Sequence, residues 1–315
     1  MGDDLAWADA SPGEGQVLDE IFCLTFVRGV DAAEALRRMG GMPDTVATRT
    51  SSDHWKLHNF DDGYPETALA LPLGTWTVVF EPSGFNGSSL TPVVSRGTEV
   101  VSVLRHDYAT PSFDYAVDGE LITTFDPTFP AHRYGADPDR LLPRMLDVGF
   151  GITEDEEDDG FDNFDGAFGR SLRLIEQVTG VLPAFEALTG PLTSAYLEPW
   201  FTEAHRRPAG RPGHDGPVDA LAEVRRLSSL HGLSDTPGLA DALAAVERGE
   251  QVTATPDSPL GRHVRTWLTD SRRASWSLND HSARHRINET ERRRAFELGW
   301  LTVALGAAIR PDLVR

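Results

Sequence analysis

The spacing of apolar residues changes once along this chain, and that change constrains its fold more than any other feature. From about residue 68 to 125 the period is two: Trp76, Val78 and Phe80 alternate with Thr75, Thr77 and Glu81. Further β-branched and aromatic runs follow at 99–104, 113–117 and 121–125, the composition of a pleated, half-buried surface. Beyond residue 218 the period becomes helical. Leu221, Val224, Leu227 and Leu230 recur at i, i+3, i+6 and i+9, and Leu239, Leu243 and Val246 likewise follow helical spacing.

An α+β chain is therefore expected: an antiparallel β-meander packed by N-terminal helices, followed by an all-α helical bundle. Asn86-Gly87 and Asp118-Gly119 tolerate positive φ and predict tight hairpins. Ser11-Pro12-Gly13-Glu14 has the pattern of a helix start, and Leu18, Ile21, Phe22 and Phe26 then share one helical face. Asp31 and Glu34 repeat the capping pattern for a second helix ending near Gly40-Gly41. A further helix is expected over 138–148 with Asp137 as its cap, and two more over 168–179 and 182–188. The tail reads as helices over 218–231, 238–248, 260–270 and 288–309.

These signals divide the chain into an α+β domain over 1–150, an acidic linker or loop over 151–167 and closing helices over 168–200. A Pro/Gly/Arg-rich linker at 201–217 and a helical domain over 218–315 complete it. The linker at 151–167 contains six consecutive carboxylates, Glu154 to Asp159, a density that favours a solvated, extended segment. The adjoining Asp158-Asp159-Gly160-Phe161-Asp162-Asn163-Phe164-Asp165-Gly166 invites comparison with an EF-hand loop. With a glycine at position six, either register leaves Gly166 or Leu172 where the closing glutamate belongs.

Net charge is −20, and it is divided unequally. Residues 1–200 carry 12 basic and 34 acidic side chains, or 12 − 34 = −22, whereas 201–315 carry 17 and 15, or 17 − 15 = +2. The first part would repel nucleic acid. The apolar runs are shorter than the roughly 20 residues that cross a bilayer, the acidic start lacks the features of a secretory signal, and the single Cys23 cannot pair internally. A cytoplasmic protein without membrane contact is expected.

Three long strings carry a family resemblance: residues 18–31, LDEIFCLTFVRGVD; residues 74–85, GTWTVVFEPSGF; and Phe125-Asp126-Pro127. The helix ending Leu174-Ile175-Glu176-Gln177-Val178-Thr179-Gly180-Val181 adds to them. Residues 1 to about 200 resemble an uncharacterised actinobacterial family, domain of unknown function 6461, with the helical C-terminal region as an addition. The resemblance implies kinship and supplies no reaction, ligand or catalytic residue.

Candidate sites come instead from the side chains. Arg262, Arg265, Arg272, Arg273, Arg284 and Arg286, followed by Arg292, Arg293 and Arg294, are interleaved with Trp267 and Trp276. Guanidiniums grip carboxylates and phosphates while indoles stack, so this stretch is the expected binding region. His281 and His285, four apart, with Glu289 a turn further on, have helical spacing for a divalent metal. His54 and His58 repeat that spacing. Glu81, His106 and Asp107 lie near strand ends, where a carboxylate and a histidine can act as acid and base. No Gly-x-Ser-x-Gly elbow, phosphate-binding glycine loop or dinucleotide fingerprint accompanies them. Cys23, placed in the apolar first helix, reads as a structural thiol.

The leading expectation is a non-catalytic component of regulatory, defence or immunity type that binds another protein. The alternatives are an enzyme with a hydrolytic site around His106 or a metal site around His281 and His285, and nucleic-acid binding through the tail.

Overall fold

The computed structural model describes residues 5–11, 18–152, 164–202, 219–278 and 286–310. Two compact units divide the chain. The first comprises Met1–His54 and Glu66–Leu197, and the second Trp55–Pro65 and Glu198–Arg315. The acidic run at 154–159, most of the Pro/Gly/Arg-rich stretch and the expected cap residues Pro12 to Glu14 lie outside the described residues.

The first unit is built on a nine-stranded antiparallel sheet. In chain order the strands are β1 (Ile21–Arg28), β2 (Ala47–Arg49), β3 (Glu66–Leu73), β4 (Trp76–Pro82), β5 (Glu99–His106), β6 (Ser112–Val117), β7 (Glu120–Asp126), β8 (Phe129–Tyr134) and β9 (Leu192–Leu197). In space the order is β2-β9-β3-β4-β1-β5-β6-β7-β8. The meander is real from β5 to β8, with Asp118 (φ 49°) and Gly119 (φ 88°) forming the β6–β7 hairpin. Elsewhere the order is interrupted, because β1 lies between β4 and β5 and β9 between β2 and β3.

The first expected helix is a strand. Residues 21–28 pair with β4 on one side and β5 on the other, and Phe22 to Val27 are all buried. A central strand covered on both faces has no solvent side, so its sequence is continuously apolar and helical spacing occurs in it by coincidence. Cys23 is thus a strand residue. The same reason corrects the expectation of one buried sheet face, since every residue of β4 is buried.

Both faces are covered by helices. Phe22, Leu24, Phe26, Val78, Phe80, Val101, Val103 and Phe113 join Leu172 and Ile175 of a helix at Ala167–Thr179, together with Trp7 of the short α1 (Ala6–Asp9), in one apolar core. The opposite face carries α2 (Ala32–Arg38) and α4 (Asn86–Val94), α3 being the short helix Asp53–Leu57. As expected, Asp31 caps α2, accepting the Glu34 N–H at 2.8 Å. Asn86-Gly87 is no hairpin but the first turn of α4. The helix expected over 138–148 is only α5 (Leu142–Asp147), starting after Leu141. The Ala167–Thr179 helix is α6, and the next, α7, covers Phe185–Thr189, later and shorter than expected.

The second unit is helical: α8 (Ala220–Leu230), α9 (Leu239–Glu247), α10 (Pro259–Trp276) and α11 (Glu289–Ile309). Val224, Leu227, Leu239, Val264, Trp267, Leu301 and Leu305 meet in its core together with Trp200. Among the described residues no helix is long and apolar enough to cross a membrane.

Candidate functional site

Beneath α4 the sheet carries a row of polar side chains in place of an apolar layer. Thr25 of β1 pairs in register with Ser102 of β5, Ser102 with Asp114 of β6, and Asp114 with Thr124 of β7. Directly opposed residues on adjacent strands point to the same face, so the row is continuous across four strands. Thr25 and Ser102 share a hydrogen bond of 3.0 Å, and Cys23 Sγ lies 3.3 Å from Ser102 Oγ. Asp114 accepts from Thr124 Oγ1 at 2.7 Å, from Ser88 Oγ of α4 at 2.8 Å and from Ser112 Oγ at 2.9 Å. Burial raises the Asp114 carboxyl above its ordinary range, against those three hydroxyls.

Glu81, 1% exposed at the end of β4, lies on the same face, opposite Cys23 of β1 and two residues along from the row. Phe85, which precedes α4, offers its first turn no side-chain cap, and Glu81 supplies it. The carboxylate accepts the Gly87 N–H at 2.7 Å, the Asn86 N–H at 3.1 Å and Asn86 Nδ2 at 2.9 Å. The Asn86 amide also donates to Glu66 of β3. Burial, with the Glu66 charge added, pushes Glu81 up to about 7, against the pull of the Gly87 and Asn86 hydrogen bonds. Close packing depends on two glycines here: a Cβ on Gly87 would stand 2.0 Å from Thr25 Oγ1, and one on Gly84 would stand 2.8 Å from Glu81 Cβ. Cys23, fully buried under this turn, is raised first by burial and then by the Glu81 charge, which disfavours its reactive thiolate.

Glu81, His106 and Asp107 are engaged separately. The His106 ring sits 6.2 Å from Phe85 and 6.5 Å from Tyr108, and Tyr108 N–H donates to His106 Nδ1 at 3.3 Å. Asp107 is gripped by Arg105 through two hydrogen bonds of 2.9 Å, and Arg105 also donates to Ala8 O and Ala10 O. At the far end of β1 an open cleft of ≈ 640 Å³ is lined by Arg28, Arg38 and Glu99. Arg28 pairs with Glu99 at 2.9 Å and Arg38 with Glu34 at 2.8 Å.

The arginine stretch lies in the second unit, mostly on α10. Arg262 is exposed and donates to Asp257 O, and Arg265 is half-buried. Arg272 is tied to the buried Glu198 at 2.6 Å. Arg273 donates to Phe60 O at 2.9 Å and covers the Phe60 ring. Trp276 ends α10 and is 47% exposed. Its indole stacks on Tyr64 with ring centres 4.5 Å apart at 30°, and meets His58 edge-on at 5.7 Å and 84°. Tyr64 (φ 52°) and Gly63 (φ 73°) turn residues 55–65 back onto α10, where a Cβ on Gly63 would stand 2.6 Å from Thr269 Cγ2.

Arg286 is exposed ahead of α11, whereas Arg284, His281 and His285 lie outside the described residues. Glu289, at the start of α11, pairs with Arg292 at 3.1 Å. His54 is buried in α3, while His58 belongs to the aromatic group. Among the described residues no group of three or more His, Cys, Asp or Glu is placed to hold a metal.

Sequence reasoning missed Glu66, Asn86, Thr25, Ser102 and Asp114 in the first unit, and Tyr64 and His58 as partners of Trp276. One signal was available for the first set: small polar residues at alternate positions of otherwise apolar strands. The model of a family of unknown function, DUF6461, matches residues 2–190. No curated protein matches the chain, and no solved structure does.

Proposed function

We propose that this chain, which belongs to the DUF6461 family, is a non-catalytic interaction protein that captures another protein on the aromatic and arginine-bearing face of its helical unit. The observation that carries the reading is Trp276, held half-exposed by its stack on Tyr64 and its edge contact with His58. A large ring already fixed in place loses little rotamer freedom on binding, and such rings dominate interface energies. Arg273, one turn before the indole, is oriented by the Phe60 carbonyl, while Arg262 further up the same helix and Arg286 ahead of α11 are exposed, a setting suited to a partner surface bearing carboxylates. A regulatory, defence or immunity-type component works through this kind of capture.

The reading is supported from the other unit by the use of its buried polar groups. Glu81 caps α4, and Asp114 is satisfied by three hydroxyls. Each has a structural task.

The test is co-purification of the full-length chain with a stoichiometric partner, followed by titration of the purified partner against the Trp276→Ala variant. Truncating a central interface tryptophan costs about 2 kcal/mol, or roughly a 30-fold weaker Kd. Undiminished binding by the variant, or no stoichiometric protein partner, overturns the proposal. Single-stranded nucleic acid retained in its place, with an affinity that falls steeply with salt, would transfer the platform to base stacking.

A further inference from the structure

We propose that the end of the sheet where β1 begins and β4 and β5 stop is a docking surface for an arginine-bearing segment of another protein. It belongs to the first unit, whereas Trp276 belongs to the second, and it takes the opposite charge. The rings mark it. Phe85 is 49% exposed and Tyr108 72%. Large apolar side chains exposed singly need no explanation, but here two stand on either side of one imidazole. The His106 ring centre lies 6.2 Å from that of Phe85 and 6.5 Å from that of Tyr108.

The backbone under both rings is fixed. Ser83 (φ 55°) turns the chain between β4 and Phe85, and its N–H donates to Ile21 O and its hydroxyl to Asp19, each at 3.0 Å. After β5, Asp107 N–H donates to Glu20 O at 3.1 Å, and the Tyr108 hydroxyl donates to the Glu20 carboxylate. Rings placed in this way lose little freedom when a partner covers them.

The same bonds bring three carboxylates to the rim. Asp19 and Glu20 precede β1 and Asp107 follows β5. Their charges converge on Tyr108, whose phenol is raised above its ordinary value by the Glu20 hydrogen bond first, then by the Glu20 charge, with Asp107 and Asp19 adding to it. The guanidinium that meets Asp107, that of Arg105, is 5% exposed and turned inward, where it also serves Ala8 O and Ala10 O and covers the Phe168 ring. Exposed rings edged by carboxylates fit a guanidinium, which stacks flat on an aromatic face and forks onto a carboxylate, as an ammonium does not. The charge of residues 1–200, 12 − 34 = −22, draws such a segment in.

The probe is a hexa-arginine peptide, titrated calorimetrically into the full-length chain, with hexa-lysine as the control of equal charge. The arginine peptide should bind about fivefold more tightly, the factor that one exposed ring contact supplies. Tyr108→Ala should weaken it about fivefold and Glu20→Gln about threefold. Glu120→Gln removes one exposed charge at the opposite end of the sheet and should leave the affinity unchanged. Equal affinity for the two peptides, or the same affinity in all three variants, means attraction by net charge alone and overturns the proposal. Should a corner variant not fold, the unaltered chain decides: His106 ring resonances that move on adding hexa-arginine support the surface, and unmoved ones overturn it.

Discussion

Among the described residues, the side-chain caps of the helical unit all lie beside the helix they serve, whereas the sheet unit has one such cap, Asp31 on α2, and two of another kind. In the helical unit Asp219 accepts N–H bonds from Leu221 and Ala222, Ser258 from Gly261, and Asn288 forms a reciprocal capping box with Glu291. In the sheet unit two helices are capped from elsewhere. Glu81 reaches α4 from the end of a strand, and Asp9 accepts the Phe168 and Gly169 N–H groups of α6 at 2.9 and 2.8 Å, across some 160 residues of chain. A local cap stabilises a helix wherever the helix goes. A remote cap contributes only when the whole unit is assembled, so it ties helix formation to the tertiary fold.

The difference teaches how a two-faced sheet accommodates polar groups. A helical bundle has one interior, and this one is mainly apolar, its buried carboxylates Glu198 and Glu223 each paired with a guanidinium, of Arg272 and Arg226. A sheet covered on both sides has two interiors, so one can be apolar around Phe22, Leu24 and Phe26 while the other holds Thr25, Ser102, Asp114 and Glu81. Buried polar groups need partners, and here the strands and α4 supply them in register.

The largest effect is expected where the polar layer is tightest. Gly87→Val forces side-chain atoms onto Thr25 and Cys23, and should cost more than about 3 kcal/mol, read as loss of soluble, cooperatively unfolding protein. A variant that folds normally would show that α4 does not rest on the polar row. In the helical unit the largest effect comes from cavity formation: Leu305→Ala, at a fully buried core position, should cost about 3 kcal/mol by chemical denaturation.

The pH dependence of the sheet unit distinguishes the units further. Folding raises the Glu81 pKa from 4.5 to about 7, so the native state holds this proton more tightly than the unfolded chain does. The resulting stabilisation is complete below about pH 4.5 and lost as pH rises through 7, a change of about 3 kcal/mol. Denaturation of Glu81→Gln across that range should lack this fall, and an unchanged slope would break the assignment. Asp9 is raised in the same direction, by burial first, against the Phe168 and Gly169 hydrogen bonds.

The two kinds of cap can be compared directly. Asp9→Ala leaves two N–H groups of α6 without their acceptor in a partly buried setting and should cost about 2 kcal/mol. Asn288→Ala, at an exposed local cap, should cost about 1 kcal/mol. Equal values by thermal or urea unfolding would erase the distinction between remote and local caps.

The helical unit was the more legible one because its signals are local. Leu221, Val224 and Leu227 lie within two turns of one another, and α8 to α11 occupy the segments that this spacing marks. The Asp31 cap and the Asp118-Gly119 hairpin were legible for the same reason. In the candidate sites, Trp276 and its arginines stood out as residues, but Tyr64 and His58 did not, since they are far away in sequence and meet Trp276 only through the turn at Gly63. Strand β9 escaped because Leu192–Leu197 has no hairpin partner nearby and inserts between β2 and β3.

By itself the sequence determined the α+β composition, most helix positions in the second unit, several strands, and the caps and turn whose chemistry is completed within four residues. Only the tertiary structure decided that Phe22 to Val27 is a central strand, that Asn86-Gly87 begins a helix, and that Glu81 is buried at the start of that helix as its cap. The physical reason is range. Helical and turn preferences act between near neighbours, whereas burial on two faces and the field at a carboxyl group are set by residues that only folding brings together.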